Sequence, residues 1–154
     1  MTRLKALLSA VLLLIGSTTA SFAESELNVT ATGLALRGID PVSYFTAEEP
    51  VAGNFQITAV HEGAVYRFAT EENKAAFLAA PEKYLPQYGG YCAMGVKMGK
   101  KLDGDPALFT IVDGKLYLNV APPVAEMWRS DAAANITAAD GVWPKIQSAA
   151  PDKL

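Results

Sequence analysis

The sequence predicts an α+β domain in which two β-hairpins form a small antiparallel sheet covered by short helices. Glu62-Gly63 and Asp113-Gly114 each separate two stretches in which apolar and polar residues alternate. A dipeptide that ends in glycine between alternating stretches is typical of a tight hairpin turn. Helix-start signals follow each hairpin, at Thr70 and at Pro122-Pro123. Strands and helices are therefore grouped separately along the chain, which favours the α+β class.

The first hairpin is predicted over residues 55–68. A two-residue loop at Glu62-Gly63 places the following apolar side chains on one face: Ile57, Ala59, Tyr66 and Phe68. Because side chains alternate between the faces of a strand, this face is expected to contact the core. In this register His61 lies beside the turn, at the end of the apolar face.

A helix is predicted over residues 71–80. Thr70 is a favourable N-cap residue, and two glutamates follow it in the first turn, where the helix dipole favours negative charge. Phe77 and Leu78 are expected to be buried. Pro81 ends the helix because it has no backbone N–H to continue the hydrogen-bond pattern.

The second hairpin is predicted over residues 109–120. Pairing Val112 with Lys115 across the Asp113-Gly114 turn places these side chains on one face: Phe109, Ile111, Leu116 and Leu118. Burial of one such side chain contributes roughly 1.5–3 kcal/mol, so this face is a substantial part of the expected core.

Two further helices are predicted after the second hairpin. Pro122-Pro123 begins the first, in which Val124, Met127 and Trp128 recur at helical spacing. Asp131 caps the second, which is expected to end at about Ala139.

The first 23 residues have the pattern of a secretory signal peptide. Arg3 and Lys5 precede an apolar run over residues 6–15, which is too short to span a bilayer. Ser21-Phe22-Ala23 fits a cleavage site, with cleavage after Ala23. A periplasmic or secreted location is therefore expected. A flexible arm is predicted over residues 24–36, one domain over 37–147 and a tail over 148–154.

The charge of the chain excludes two classes of partner. The full chain has a formal net charge of −3, and removal of Arg3 and Lys5 with the leader changes it to −5. An acidic protein is poorly suited to bind nucleic acid or an anionic membrane surface. We therefore expect no nucleic-acid partner, and no membrane association after cleavage of the leader.

Several motifs, taken in order, resemble the exported bacterial form of the YHS domain family. The motifs are Gly38-Ile39-Asp40-Pro41-Val42-Ser43-Tyr44-Phe45, the hairpin with Gly63, Tyr66 and Phe68, Gln87-Tyr88-Gly89-Gly90-Tyr91-Cys92-Ala93, Gly104-Asp105-Pro106, and Val112-Asp113-Gly114-Lys115-Leu116-Tyr117-Leu118-Asn119. The resemblance covers most of the chain after the leader, and it implies a link to metal handling.

The cysteine positions of the metal-sensing relatives are not kept in this chain. Those relatives have cysteines in an Asp-Pro-Val-Cys start and in a Phe-Cys-Ser-x-x-Cys corner between a hairpin and a helix. Here Ser43 replaces the first cysteine, and Ala69 and Asn73 stand at the other two positions. The resemblance therefore does not carry the relatives' metal site to this chain.

Cys92, the single cysteine, is the centre of the leading functional hypothesis. Thiolate and thioether ligands suit Cu(I), so Cys92, Met94, Met98 and His61 are the candidate copper ligands. A short helix that ends near Gly99 would place the two methionines on one face. The alternative is that Cys92 and the methionines are core residues and bind no metal.

Two other functions stay open. Cys92 and His61 could form the catalytic pair of a thiol enzyme, although no third, orienting residue is identified. Tyr84, Tyr88 and Tyr91 precede Cys92 and could line the pocket of a module that binds an organic ligand or a protein. The alternative, which the sequence favours, is that they are core aromatic residues. The sequence favours a non-catalytic binding protein, with copper handling as the specific hypothesis.

Overall fold

The computed structural model describes residues 26–154. The predicted signal peptide, residues 1–23, lies outside the described residues. The elements in chain order are α1 (Ser43–Thr46), β1 (Asn54–His61), β2 (Ala64–Phe68), α2 (Glu71–Ala79), α3 (Ala93–Lys97), β3 (Asp105–Val112), β4 (Lys115–Asn119), α4 (Pro122–Ser130) and α5 (Ala132–Ile146). Short 3-10 turns link several of them. The α+β class is confirmed.

Both hairpins have the predicted register next to their turns, but a bulge in β1 places Phe68 opposite Asn54 rather than opposite Ile57. In the first, Ala59 lies opposite Tyr66 and His61 opposite Ala64. In the second, Val112 lies opposite Lys115. Each turn has two successive residues with positive φ, as a type I′ turn requires. Each hairpin is a two-stranded sheet of its own, so the single sheet that we expected is not formed.

Strand β4 of the second hairpin is buried on both faces, and its two faces contact two separate core clusters. Leu116 and Leu118 belong to one cluster with the first hairpin and Phe77 of α2. Tyr117 belongs to the other cluster with Cys92 and Trp128 of α4. The alternation of the sequence predicted only the first buried face, because the other face carries the polar residues Thr110, Lys115 and Asn119.

Two predicted core residues lie on the surface. Leu78 is 55% exposed, whereas Phe77 beside it is fully buried. Met127 is 60% exposed, whereas Trp128 beside it is fully buried. Successive residues of a helix point about 100° apart, so only one member of each pair faces the core.

The last helix is longer than predicted. Asp131 caps α5 by accepting a hydrogen bond from the backbone N–H of Ala134 at 3.4 Å, as expected. The helix then continues past Ala139 to Ile146, with Pro144 inside it. Pro144 lies in the last turn, where the missing N–H removes a hydrogen bond from the end of the helix rather than from its middle.

The predicted flexible arm is packed onto the domain over its described part, residues 26–36. Ala35 donates its N–H to the carbonyl oxygen of Val65 at 2.9 Å, and Ala35 and Leu36 are buried. At the other end of the chain, Leu154 packs against the cluster that contains Trp128. No helix within residues 26–154 is long and apolar enough to cross a membrane.

Candidate functional site

Cys92 lies at the start of α3 and is completely buried. Its Sγ accepts a hydrogen bond from the backbone N–H of Gly95 at 3.4 Å, which caps the helix. The thiol also lies 3.8 Å from Oδ1 of Asn119, as a donor to that oxygen. The Cys92 side chain therefore packs between α3 and β4 as a core residue.

The other three candidate copper ligands do not surround Cys92. Met94 is buried in the same cluster, but Met98 is 72% exposed because it caps the end of α3. His61 packs edge-on against Phe77 with ring centroids 5.7 Å apart, and Phe77 belongs to the other cluster. The thiol partners are Gly95 and Asn119, so a Cys92–His61 pair is not assembled.

Three positions converge on Asp40, which is fully buried: Ser43, Ala69 and Asn73, which match cysteine positions in the metal-sensing proteins that the motifs resemble. Ser43 donates its hydroxyl hydrogen to the Asp40 carbonyl oxygen at 2.7 Å. Ala69 donates its N–H to Oδ2 at 2.8 Å, and Nδ2 of Asn73 donates to the same oxygen at 2.6 Å. Oδ1 accepts the N–H of Val42 at 2.8 Å. A hydrogen-bonded carboxylate therefore occupies this corner of the fold.

His61 does take part in a group of polar side chains, although with other residues. Its imidazole and the carboxylates of Glu62 and Glu82 lie with their ligand atoms within 4.8 Å of one another. Both glutamates are exposed, and His61 is partly buried. None of the ion pairs found among residues 26–154 includes Glu62 or Glu82.

The two glutamates lie on the wall of a cleft with a volume of about 240 Å³. The first hairpin supplies Glu62 and Tyr66, the segment before α3 supplies Tyr88, and α5 supplies Trp143. The described residues that line the cleft are Glu26, Leu27, Glu62, Tyr66, Glu82, Leu85, Pro86, Gln87, Tyr88, Gly89, Trp143 and Gln147. They include three carboxylates and neither lysine nor arginine.

The tyrosine pKa values reflect the burial and the negative charge of this cleft. Burial raises the pKa of Tyr66 above its usual value, and the charges of Glu62 and Glu82 raise it further. Burial also raises the pKa of Tyr88, whose hydroxyl donates to Oδ1 of Asp140 at 2.8 Å. Both side chains are therefore neutral phenols at physiological pH, and the negative charge of the cleft comes from its glutamates.

Lys101 shows how this part of the fold holds an ammonium group. Its Nζ lies 5.2 Å from the ring centroid of Tyr91 and 5.4 Å from that of Trp143. It donates to the carbonyl oxygens of Gln147 and Ala149 in the C-terminal segment. Burial lowers its pKa, and the charge of Glu26 opposes that shift. Glu26 is thus partly balanced by Lys101.

All three tyrosines near Cys92 are core residues: Tyr84, Tyr88 and Tyr91 are 7%, 6% and 3% exposed. Tyr88 alone of the three is also among the described residues that line this cleft. Sequence reasoning missed Glu62, Glu82 and Trp143, which come from three separate elements. The acidic turn residue beside His61 was the only available signal, and a glutamate in a turn is ordinarily a surface residue.

Comparison of the chain with models of known protein families finds no match, and comparisons with characterised proteins and with solved structures find none either. The resemblance to the YHS domain family thus depends on the sequence motifs alone.

Proposed function

We propose that this protein is an exported, YHS-like binding module that is not an enzyme and that takes a small ligand in the cleft between the first hairpin and α5. The observation that carries the proposal is this cleft of about 240 Å³, in which the partly exposed ring of Trp143 lies beside polar side chains that other elements supply. Ligand sites combine aromatic walls with a few polar groups, and this cleft has both. A periplasmic or secreted location follows from the signal-peptide pattern.

Copper handling through Cys92 is the weaker candidate on this geometry. The thiol is buried and engaged by Gly95 and Asn119, and Met98 lies on the surface. Binding of Cu(I) by these ligands would require α3 to unwind at its first turn. A catalytic Cys92 would face the same obstacle, because a nucleophilic thiol has to reach its substrate.

A ligand screen on purified protein tests the proposal. Thermal-shift measurements with a library of small metabolites are expected to yield ligands that raise the melting temperature and quench tryptophan fluorescence. Trp143→Leu should abolish both responses. Phe55→Leu is the matched control, because Phe55 is 72% exposed and is not among the described lining residues. Ligands that bind Trp143→Leu as well as they bind the unmodified protein would place the binding site elsewhere and refute the proposal.

A further inference from the structure

We propose that the outer edge of β3, together with the apolar cleft beside it, binds an extended peptide segment of a partner protein. The peptide would pair with β3 as an added strand, place an apolar side chain in the cleft and present a lysine or arginine to Glu48. This surface shares no described lining residue with the cleft of the proposed function, and neither inference depends on the other.

Strand β3 has an edge along which no other strand lies. Within residues 26–154 the second hairpin is a sheet of two strands. Val112 and Lys115 flank its two-residue turn, and such a pair exchanges both of its backbone hydrogen bonds across the hairpin. Because the hydrogen-bonding direction alternates along a strand, the backbone N–H and C=O groups of Ile111 and Phe109 point away from β4.

Strand β4 shows the same alternation on its own outer edge. Leu116 lies opposite Ile111, and Leu118 lies opposite Phe109. Both leucines form bridges to the segment that precedes α3, which supports the outward direction of the backbone groups in these pairs. On β3 the backbone hydrogen bonds found within residues 26–154 include no such partner for Ile111 or Phe109. Their two N–H and two C=O groups are therefore available to an added strand.

The cleft beside this edge has room for an apolar side chain. Its volume is about 370 Å³. Tyr44 in its lining is completely buried, and the partly exposed lining residues are Phe45, Phe109 and Ile111. Side chains that lie opposite each other on paired strands point to the same face, so a peptide residue paired with Ile111 or Phe109 points towards the cleft. Main-chain pairing beside a pocket for alternate side chains is a recurring way in which proteins bind extended peptides.

The charge of the cleft favours a basic peptide. Glu48 is exposed and is the one charged residue among the described residues that line the cleft. None of the ion pairs found among residues 26–154 includes it. A lysine or arginine of the peptide is attracted to Glu48, and the chain, with a net charge of −3, attracts a basic segment from a distance. A second copy of the chain carries the same net charge and is repelled, which makes it the less suitable occupant.

A heptapeptide with alternating side chains is the probe: acetyl-Thr-Lys-Thr-Phe-Thr-Lys-Thr-amide. Its lysines and phenylalanine lie on one face of a strand, and the order of side chains is the same from both ends, so it tests parallel and antiparallel pairing alike. Titration of ¹⁵N-labelled protein is expected to shift the NMR signals of the Phe109 and Ile111 amides. The Val60 amide is the control and should not shift, because Val60 has the position in β1 that Ile111 has in β3, one pair from the turn.

Alternate N-methylation separates strand pairing from simple occupation of the cleft. N-methyl groups remove the backbone donors from one edge of the peptide and leave its side chains unchanged. One analogue is methylated at the lysines and the phenylalanine, and the other at the threonines between them. One of the two should bind at least tenfold more weakly than the parent peptide and the other within threefold of it. Replacement of the phenylalanine by alanine should also weaken binding at least tenfold.

Glu48→Gln tests the charge. Binding of the heptapeptide at low ionic strength should weaken roughly two- to fivefold, as expected for the loss of an exposed ion pair. Glu49→Gln is the matched control, because Glu49 is exposed and lies outside the described lining, and it should leave the affinity unchanged. Equal affinities of the two variants would remove the charge argument and, with it, the basic peptide.

Four further results would overturn the inference. One is a spectrum that the heptapeptide does not change. Another is a set of shifted signals that excludes Phe109 and Ile111. The third is equal binding of the two methylated analogues, because an added strand uses only one edge of the peptide. The fourth is a dimer, detected by sedimentation, whose formation slows hydrogen exchange at Phe109 and Ile111, because a second copy would then occupy the edge. The ligand screen with Trp143→Leu remains a separate test of the proposed function in each case.

Discussion

Asn28 donates its backbone N–H to the carbonyl oxygen of Gly89 at 2.8 Å, which joins the N-terminal segment to the turn before Cys92. Nδ2 of the same asparagine donates to the Gly90 carbonyl oxygen at 3.1 Å. The Gly89-Gly90 pair thus forms the surface on which residues 26–28 dock.

Gly89→Ala is expected to destabilise the protein by about 2–4 kcal/mol, because backbone strain and overpacking each cost roughly 1–3 kcal/mol. Gly89 has a φ of +62°, and a Cβ there would overlap the carbonyl oxygen of Glu26. Urea denaturation measures the free energy of unfolding.

Gly99→Ala is the matched control for this substitution. Gly99 has a φ of +74°, and nothing lies within 4 Å of the position that its Cβ would take. The free energy of unfolding of Gly99→Ala should fall by only about 1 kcal/mol, the cost of a left-handed backbone conformation at an alanine. Equal losses of unfolding free energy in the two variants would show that the contact between Gly89 and the docked N-terminal segment does not stabilise the protein.

Asp40→Asn is expected to destabilise the protein by about 2–4 kcal/mol, since each buried group left without its hydrogen bond costs roughly 1–3 kcal/mol. Both Asp40 oxygens accept hydrogen bonds, from Val42, Ala69 and Asn73. The asparagine NH₂ group would face at least one of these donors. Asp152→Asn, at an exposed site, should change the free energy of unfolding by less than about 0.5 kcal/mol. A tolerated Asp40→Asn would mean that this network does not hold the corner together.

Cys92 is expected to react with a thiol reagent at least a hundredfold more slowly than free cysteine, because its complete burial makes the reaction wait for an opening of about 3 kcal/mol or more. In concentrated urea the rate should return to that of free cysteine. The combined variant Cys92→Ser/Met98→Cys is the control, because position 98 is exposed and its thiol should react at once. Rapid labelling of native Cys92, or a Cu(I) affinity that falls in Cys92→Ser, would instead favour the copper hypothesis.

Local rules account for what the sequence predicted correctly. Both hairpin registers follow from a two-residue turn with positive φ and from alternation on either side of it. The Thr70 cap also depends only on neighbours, because its Oγ1 accepts the N–H of Asn73 at 3.1 Å. Such interactions need no knowledge of the rest of the fold, and a single sequence is sufficient to find them.

The features that the sequence did not predict depend on contacts between distant segments. The sequence did not show what Tyr117 packs against: its ring lies 5.4 Å from that of Trp128 on α4. The cleft has the same origin, since Glu62, Glu82 and Trp143 are far apart in the chain and meet only when the elements pack. Neither the burial of Tyr117 nor the cleft produces a periodicity or a residue spacing in the sequence that would predict it.

Five tyrosines share a buried environment that affects stability at high pH. Burial raises the pKa of each of them: Tyr44, Tyr66, Tyr88, Tyr91 and Tyr117. The unfolded chain loses the phenolic protons from about pH 10, while the folded protein retains them. Burial lowers the pKa of Lys101, so its contribution to stability rises with pH up to the unfolded lysine value of about 10.4 and adds no slope above that pH.

Stability is therefore expected to be constant with respect to these tyrosines below about pH 10 and to fall above it, by up to about 1.4 kcal/mol per pH unit for each of them. Tyr44→Phe should make the decline shallower by one such contribution, because Tyr44 is fully buried and donates its hydroxyl hydrogen to the Pro106 carbonyl oxygen at 3.0 Å. Urea denaturation at pH 9, 10.5 and 11.5, compared between the unmodified protein and Tyr44→Phe, measures both slopes. Parallel slopes would show that the Tyr44 phenol titrates alike in the folded and unfolded chains, as it would if the α1 segment opened at high pH before the rest of the domain.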